Sequence, residues 1–241
     1  MQLTVREVAK LLNVTEKTVY RWLREGTIPA MRIHDQYRFN RAELLEWAST
    51  RKMTLAPEFF QENAEGGGAE VLPSLSAALK TGGIYYRLEG NDVPSVLRAI
   101  VSTLKLPEEV DREALRQVLL AREELASTGI GDGIAIPHAR NPIVLNVPYS
   151  MIALSFLKQP VDFKALDRKP VNCFFTLVSP TARTHLHLLS KLAFALRDPA
   201  FKKIILRPGT AEEILKEAER IEINLAKSAE LTQKKRKEKR V

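Results

Sequence analysis

Between Thr50 and Ser76 the apolar patterning of the chain stops, and that break decides what kind of molecule it makes. Ala56-Pro57, the run Gly66-Gly67-Gly68 and Pro73 fall inside it. Prolines and glycine runs without hydrophobic periodicity form a linker, not a core element. About fifty residues precede the break and about 150 follow it, each a workable domain size. The expected division is a head at 1–52, a linker at 53–71, a body at 72–226 and a tail at 227–241.

Charge follows the same division. The head holds ten Lys/Arg against six Asp/Glu, the tail seven against two, and residues 53–226 twenty against twenty-one. A basic head and tail around a near-neutral middle point to an anionic partner for the ends only. Charge density in the tail, ending Lys234-Lys-Arg-Lys-Glu-Lys-Arg240, predicts disorder from Lys227 onward. With 45% hydrophobic and 27% charged residues, the chain is neither collagen-like nor wholly disordered. The apolar runs Ser150–Leu157 and Cys173–Val178 are too short to cross a bilayer, so no membrane insertion is expected. No secretory block shows in Met1 to Val14. The single cysteine, Cys173, excludes an internal disulfide and suits a reducing cytoplasm; in an apolar strand it reads as core. One cysteine and four scattered histidines give no metal-site spacing, and none is expected.

In the head, Thr4-Val-Arg-Glu7 fits a capping box, and Val5, Val8, Leu11 and Leu12 mark one apolar helix face. Asn13 tolerates a left-handed turn, and Thr15 caps a second helix that stops at Gly26. On that helix Val19, Trp22 and Leu23 gather on one side, and Lys17, Arg21 and Arg24 on the other with Tyr20 beside them. Two short helices across a tight turn, the second with a basic face, form a helix-turn-helix DNA reader; the plainer alternative is a solvated charged face. Ile28–Phe39 predicts a hairpin wing turning near Asp35, with Arg32, His34, Gln36 and Arg38 alternating with Ile33, Tyr37 and Phe39. Arg32 and Arg38 are the candidates for phosphate or minor-groove contact, and His34 is given no chemical role. A third helix over 41–51 offers Leu44, Leu45 and Trp47 as core. From Leu3 to Trp47 the head resembles the excisionase and MerR-like winged helix-turn-helix family, with Asn13 where glycine is usual and no glycine in the wing turn.

In the body, the chemistry concentrates in Arg122-Glu-Glu-Leu-Ala-Ser-Thr128-Gly-Ile-Gly-Asp-Gly-Ile-Ala-Ile-Pro-His138. Gly129, Gly131 and Gly133, with Thr128, form a loop whose main-chain N–H groups are expected to approach a phosphate. A neutral imidazole oriented through one nitrogen is a nucleophile at the other, and arginine grips phosphoryl oxygens in a bidentate fork. Taken bare, such a loop before one histidine more often accompanies a structural histidine, and Arg122 also fits an ordinary helix end.

The same stretch, with Val161-Asp-Phe163, Asp167-Arg-Lys-Pro-Val171, Phe175-Thr-Leu-Val-Ser-Pro180 and His185-Leu-His-Leu-Leu-Ser-Lys-Leu-Ala193, resembles the EIIA domains of the bacterial phosphotransferase system, fructose–mannitol and nitrogen-regulatory branch. The resemblance runs from about Leu72 to Glu222. It implies His138 as phosphoryl acceptor, Arg122 holding the phosphoryl oxygens, and His185 as a second active-site histidine. Thr184 is expected to cap the helix carrying His185, whereas His187 faces elsewhere. Strands near 84–86, 134–136, 150–157 and 173–178 alternate with helices near 93–103, 112–122, 184–196, 199–206 and 211–221. The fold class is α/β: an EIIA-type mixed sheet flanked by helices, preceded by a small winged helix-turn-helix.

The resemblance implies a phosphorylation-responsive DNA-binding regulator. Its partners would be an HPr-like phosphocarrier and double-stranded DNA, with a homodimer on paired half-sites, and it would need no cofactor. It would be a stoichiometric phosphocarrier, not a turnover enzyme. A second reading is a transferase component passing phosphate to a sugar permease, with the head only a localiser. A third is a DNA-binding architectural protein whose body has lost phosphotransfer.

Overall fold

Met151–Val161 (β7) is apolar on both faces through Leu157, a pattern that only a strand covered on both sides can satisfy. Ile152, Leu154 and Phe156 point to one side with Cys173, Phe175 and Leu177. Met151, Ala153 and Leu157 point to the other with Phe174 and Val178. Cys173, Phe174, Phe175, Leu177 and Val178 lie on the neighbouring strand Val171–Val178 (β8), which pairs antiparallel with β7. In the computed structural model, which describes residues 2–33, 36–51, 53, 72–139 and 147–238, these strands centre a mixed sheet. Ile84–Leu88 (β4) pairs parallel with β7 on one side. On the other side Ile134–Ala135 (β6) pairs parallel with β8, and Gly129–Gly131 (β5) antiparallel with β6. The order among the described residues is β4-β7-β8-β6-β5.

Helices cover both faces. Val93–Thr103 (α5) and Arg112–Leu125 (α6) supply Val96, Leu97, Ile100, Leu115 and Leu119 to one core. Leu75–Gly82 (α4), Ala182–Ala195 (α7), Pro199–Leu206 (α8) and Ala211–Glu238 (α9) supply the other. The capping chemistry is local: Asp92, Asp111 and Asp198 each accept backbone N–H groups of the first turn that follows. α4 was not expected, because its Ser74-capped start falls at the edge of the break in patterning. Glu222 of α9 secures that start by accepting from the Leu75 and Ser76 N–H groups and from the Ser76 hydroxyl at 2.8 Å.

The expectation of disorder from Lys227 is corrected by α9, which continues through Lys227 to Glu238. Ile214, Ala218 and Ile221 anchor its first half, and Lys227, Ala229, Glu230, Leu231 and Gln233 are strong helix formers that carry the turns onward. Among the described residues no helix is long and apolar enough to cross a membrane.

In the head, Val5–Leu11 (α1) begins at the anticipated capping box, with the Thr4 N–H and hydroxyl each 2.8 Å from the Glu7 carboxylate. Asn13, at φ 53°, makes the turn into Glu16–Arg24 (α2), capped by Thr15. Met31–Ile33 (β2) and Gln36–Asn40 (β3) form the hairpin, and Gln2–Leu3 (β1) adds an unforeseen third strand beside β3. Arg41–Thr50 (α3) packs Leu44, Trp47 and Ala48 inward, with Trp22 edge-on to Trp47 at 5.1 Å. The hairpin turn at 34–35, linker residues 52 and 54–71, the Leu45 side chain and residues 239–241 lie outside the described residues.

The head is packed on the body. α3 lies against β5 and α7, the buried residues of the two parts form one continuous apolar cluster, and the Arg197 guanidinium donates to the Met53 carbonyl.

Candidate functional site

The glycine-rich segment folds as a hairpin. Gly131 pairs with Ile134 across the two-residue turn Asp132-Gly133, where both residues have positive φ, 55° and 76°. That is the primed turn which Asp-Gly favours, because its twist matches the flanking strands. Gly131 itself has φ 92°, and a Cβ at Gly129 would fall 2.7 Å from that of Ala165. Two of the N–H groups expected to approach a phosphate, those of Thr128 and Gly129, are engaged within the protein. Thr128 donates to Glu123, Gly129 donates to the Ser127 hydroxyl at 3.0 Å, and Asp132 donates to Asp167 at 2.8 Å. Thr128, Gly129, Gly131 and Gly133 thus belong to the hairpin that carries the chain into β6.

β6 delivers His138. Beyond Pro137, whose carbonyl accepts the Leu177 N–H at 2.9 Å, His138 bridges to Leu177 at the end of β8. Its ring is buried, with Nδ1 2.7 Å from the Ile136 carbonyl. A carbonyl only accepts, so Nδ1 carries the proton and Nε2 carries the lone pair. Burial pushes the His138 pKa down to about 4, the Ile136 carbonyl opposes that shift, and the Arg122 charge adds to it. The ring is thus neutral at pH 7.

α7 brings the second histidine. The His185 ring centroid is 5.3 Å from that of His138, the planes tilted by 45°. Burial and then the charge of His138 lower its pKa to about 3, and its Nδ1 lies 3.4 Å from the Ser179 hydroxyl. The helix start is one turn earlier than anticipated. Thr181, not Thr184, is the cap, accepting the Thr184 N–H at 3.1 Å, so the His185 N–H already bonds within the helix to the Thr181 carbonyl. His187, facing away, meets the Pro73 carbonyl at 3.1 Å.

The last turn of α6 supplies opposite charges. Arg122, only 7% exposed, donates to the Ala126 carbonyl at 2.7 Å and so caps its own helix end while its field reaches His138. Glu123, next in sequence and buried, was missed by the sequence reading. Its carboxylate accepts the Thr128 N–H and, at 2.5 Å, the Thr128 hydroxyl. Burial raises its pKa, while the Thr128 contacts and Arg122 pull the other way. A signal was present: Arg122 and Glu123 continue the stripe of Leu115 and Leu119, and charged residues on an apolar stripe are buried for a reason. Two neutral imidazoles, one with an oriented lone pair, beside a buried guanidinium can accept a phosphoryl group and balance its charge. Among the described residues no three His, Cys, Asp or Glu side chains converge as a metal site. Cys173 is buried core, its thiol pushed up by burial.

On the head, Lys17, Tyr20, Arg21 and Arg24 are all exposed on α2, opposite buried Val19; Arg21 pairs loosely with Glu25 at 3.9 Å. The wing departs from the anticipated alternation. Its register pairs Arg32 with Tyr37 and Met31 with Arg38, so Arg32 and Arg38 lie on opposite faces of the hairpin. The reason is geometric: a two-residue turn puts residues of unlike parity opposite each other. Arg38 also donates to the Gln36 side chain and the Tyr37 carbonyl.

Comparison with known proteins divides the chain in the same way. Residues 78–220 match the family profile described as phosphoenolpyruvate-dependent sugar phosphotransferase system, EIIA 2, and residues 3–52 match a helix-turn-helix domain. The Pseudomonas aeruginosa nitrogen regulatory protein is 38% identical over 145 residues, covering 58% of this chain and 91% of that protein. The Bacillus subtilis fructose-specific EIIABC component is 33% identical over 135 residues, 55% of this chain but only 21% of that larger protein. Among solved structures, the nitrogen regulatory protein IIA-Ntr of Neisseria meningitidis aligns with TM-score 0.50 and 30% identity, covering 57% of this chain and 94% of that one.

Proposed function

The chain belongs to the phosphotransferase system EIIA 2 family, with a helix-turn-helix domain ahead of that unit, and on that premise we propose that it is a DNA-binding regulator switched by phosphorylation of His138. The observation that carries the reading is the state of that ring: neutral, buried, its Nδ1 proton held by the Ile136 carbonyl and its lone pair on Nε2. An HPr-like carrier would present a phosphohistidine. The His138 Nε2–P bond forms as the carrier's N–P bond breaks, and the Nδ1 proton stays where it is. Arg122 and His185 balance the oxygens of the moving group. The head reads duplex DNA through Lys17, Tyr20, Arg21 and Arg24, with Arg32 on one face of the wing and Arg38 on the other adding backbone contacts, as a homodimer on paired half-sites.

Coupling between the two parts has a physical route. α3 of the head rests on β5 and α7, and α7 carries His185 while β5 opens the hairpin leading to His138. A phosphoryl group adds up to about two negative charges, and at 0.15 M salt direct repulsion of DNA fades beyond roughly 8 Å. Altered docking of α3 therefore serves better than long-range charge. The test is phosphorylation by enzyme I, an HPr-type carrier and phosphoenolpyruvate, read by mass spectrometry. An acid-labile adduct confined to His138 supports the reading; phosphate on serine, threonine or a His138→Ala variant overturns it.

A further inference from the structure

Glu123 lies at one end of a hydrogen-bonded path that terminates on the reacting ring. Its carboxylate accepts the Thr128 N–H at 2.9 and 3.1 Å and the Thr128 hydroxyl at 2.5 Å. The Thr128 carbonyl accepts the Ile136 N–H at 3.0 Å, and the Ile136 carbonyl accepts the His138 Nδ1 proton at 2.7 Å. The path crosses from the end of α6 to the start of β5, over the hairpin, and on to His138.

Both oxygens of Glu123 contact Thr128, and the Ser127 side chain adds a further hydrogen bond; burying an ionised carboxylate is costly unless such contacts compensate. An amide at that position would have to serve both Thr128 donors through one oxygen and would turn a competing donor towards them. Thr128 in turn fixes the Ile136 N–H, and the carbonyl of the same residue, one peptide group further on, selects which nitrogen of His138 is protonated. The outer partners of a reacting imidazole commonly set its tautomer and ring orientation in this way.

We propose that Glu123 is a positioning residue for His138: clamping Thr128 places the Ile136 carbonyl so that the ring holds its proton on Nδ1 and presents Nε2. The inference rests on the reading of His138 as phosphoryl acceptor, but its first consequence, the tautomer, is measurable without any phosphate donor. Glu123 touches no substrate in this scheme; it acts through the hairpin, and its charge also raises the His138 pKa against the larger effect of burial.

The experiment uses the full chain and two readouts: the ¹⁵N shifts of the His138 ring, which report the tautomer, and the initial rate of phosphorylation from an HPr-type carrier. Wild type is expected as the Nδ1–H tautomer. Glu123→Gln should mix the tautomers and slow acceptance roughly tenfold, since small misplacements of reacting groups carry costs of that size or larger. Thr128→Val should move both readouts the same way and Thr128→Ser should restore them, so the proposal stays testable if a Glu123 variant folds poorly. Wild-type tautomer and rate in folded Glu123→Gln, or no difference between Thr128→Val and Thr128→Ser, overturns it. A wild-type chain with the expected tautomer that accepts no phosphate overturns the acceptor reading instead and leaves the positioning of His138 by Glu123 standing.

Discussion

The head and the body both depend on arginine, and they use it in opposite ways. Arg21 of α2 is more than half exposed and only loosely paired with Glu25. Arg122 of α6 is 7% exposed, fixed on the Ala126 carbonyl, and close enough to His138 to depress its pKa. An exposed guanidinium acts through a screened field and gains affinity by releasing counterions. A buried one acts over one contact, where low dielectric strengthens it and salt scarcely reaches. The lesson is that overall charge marks the proposed DNA face but is blind to the proposed phosphate site, which lies in a stretch with no basic excess.

Substitutions and a pH series test that contrast. The largest effect belongs to His138→Ala, which should abolish the acid-labile adduct altogether while leaving the DNA affinity of the unmodified protein near wild type. Phosphate retained elsewhere, seen by mass spectrometry, would move the acceptor out of the buried site.

Arg122→Ala and His185→Ala should slow phosphoryl acceptance by about 2–4 kcal/mol of transition-state stabilisation, as oxyanion-type donors do, with little salt dependence and an unchanged circular dichroism spectrum. Arg21→Ala and Arg24→Ala should instead weaken DNA binding and each lower the salt slope by about one unit. A salt-insensitive head, or a body whose transfer rate tracks ionic strength, would erase the distinction.

Next is pH. The folded-state values of about 4 for His138 and about 3 for His185 lie below the ordinary 6.5. Between those limits the unfolded chain binds protons that the folded chain does not, so stability falls as pH drops from 6.5 towards 4, by about 3 kcal/mol for His138. Glu123, raised by burial, contributes the opposite sign, so the measurement is the difference between wild type and His138→Gln in urea unfolding across that range. A constant difference from pH 7 to 4 would show an ordinary histidine. Phosphoryl acceptance should likewise stay level from pH 8 down to about 5.

The smallest effect is structural. The Ser155 and Thr176 hydroxyls are buried without a partner among the described residues. Thr176→Val removes one such group at equal volume and should stabilise by about 1 kcal/mol; a loss of that size would mean the hydroxyl is bonded.

The sequence was readable where a signal is local. The Thr4–Glu7 capping box, the helices near 93–103 and 199–206 and the strand near 150–157 all stand as anticipated. It was unreadable where partners come from far along the chain. Thr181 and Thr184 are equally good caps by type, and packing chose the first. The glycine-rich stretch was expected as a loop, and its packing against Ala165 and Asp167, more than thirty residues on, was not visible. α4 depends on Glu222, and α9 outran a tail judged on charge alone. Of the site, the residues His138, His185 and Arg122 were named from motif resemblance, and His138 and His185 are brought within ring contact. Glu123 was hidden because an acidic residue beside another at a helix end looks solvated.

The central claim is that phosphate on His138 changes DNA affinity. The direct measurement titrates one operator fragment with phosphorylated protein, unphosphorylated protein and His138→Ala treated with the same phosphate donors. The account predicts that phosphorylation raises Kd by about five- to 150-fold, the range of a coupling of 1–3 kcal/mol, and that His138→Ala is indifferent to the donors. Equal Kd values for the two forms of the wild-type protein would contradict it.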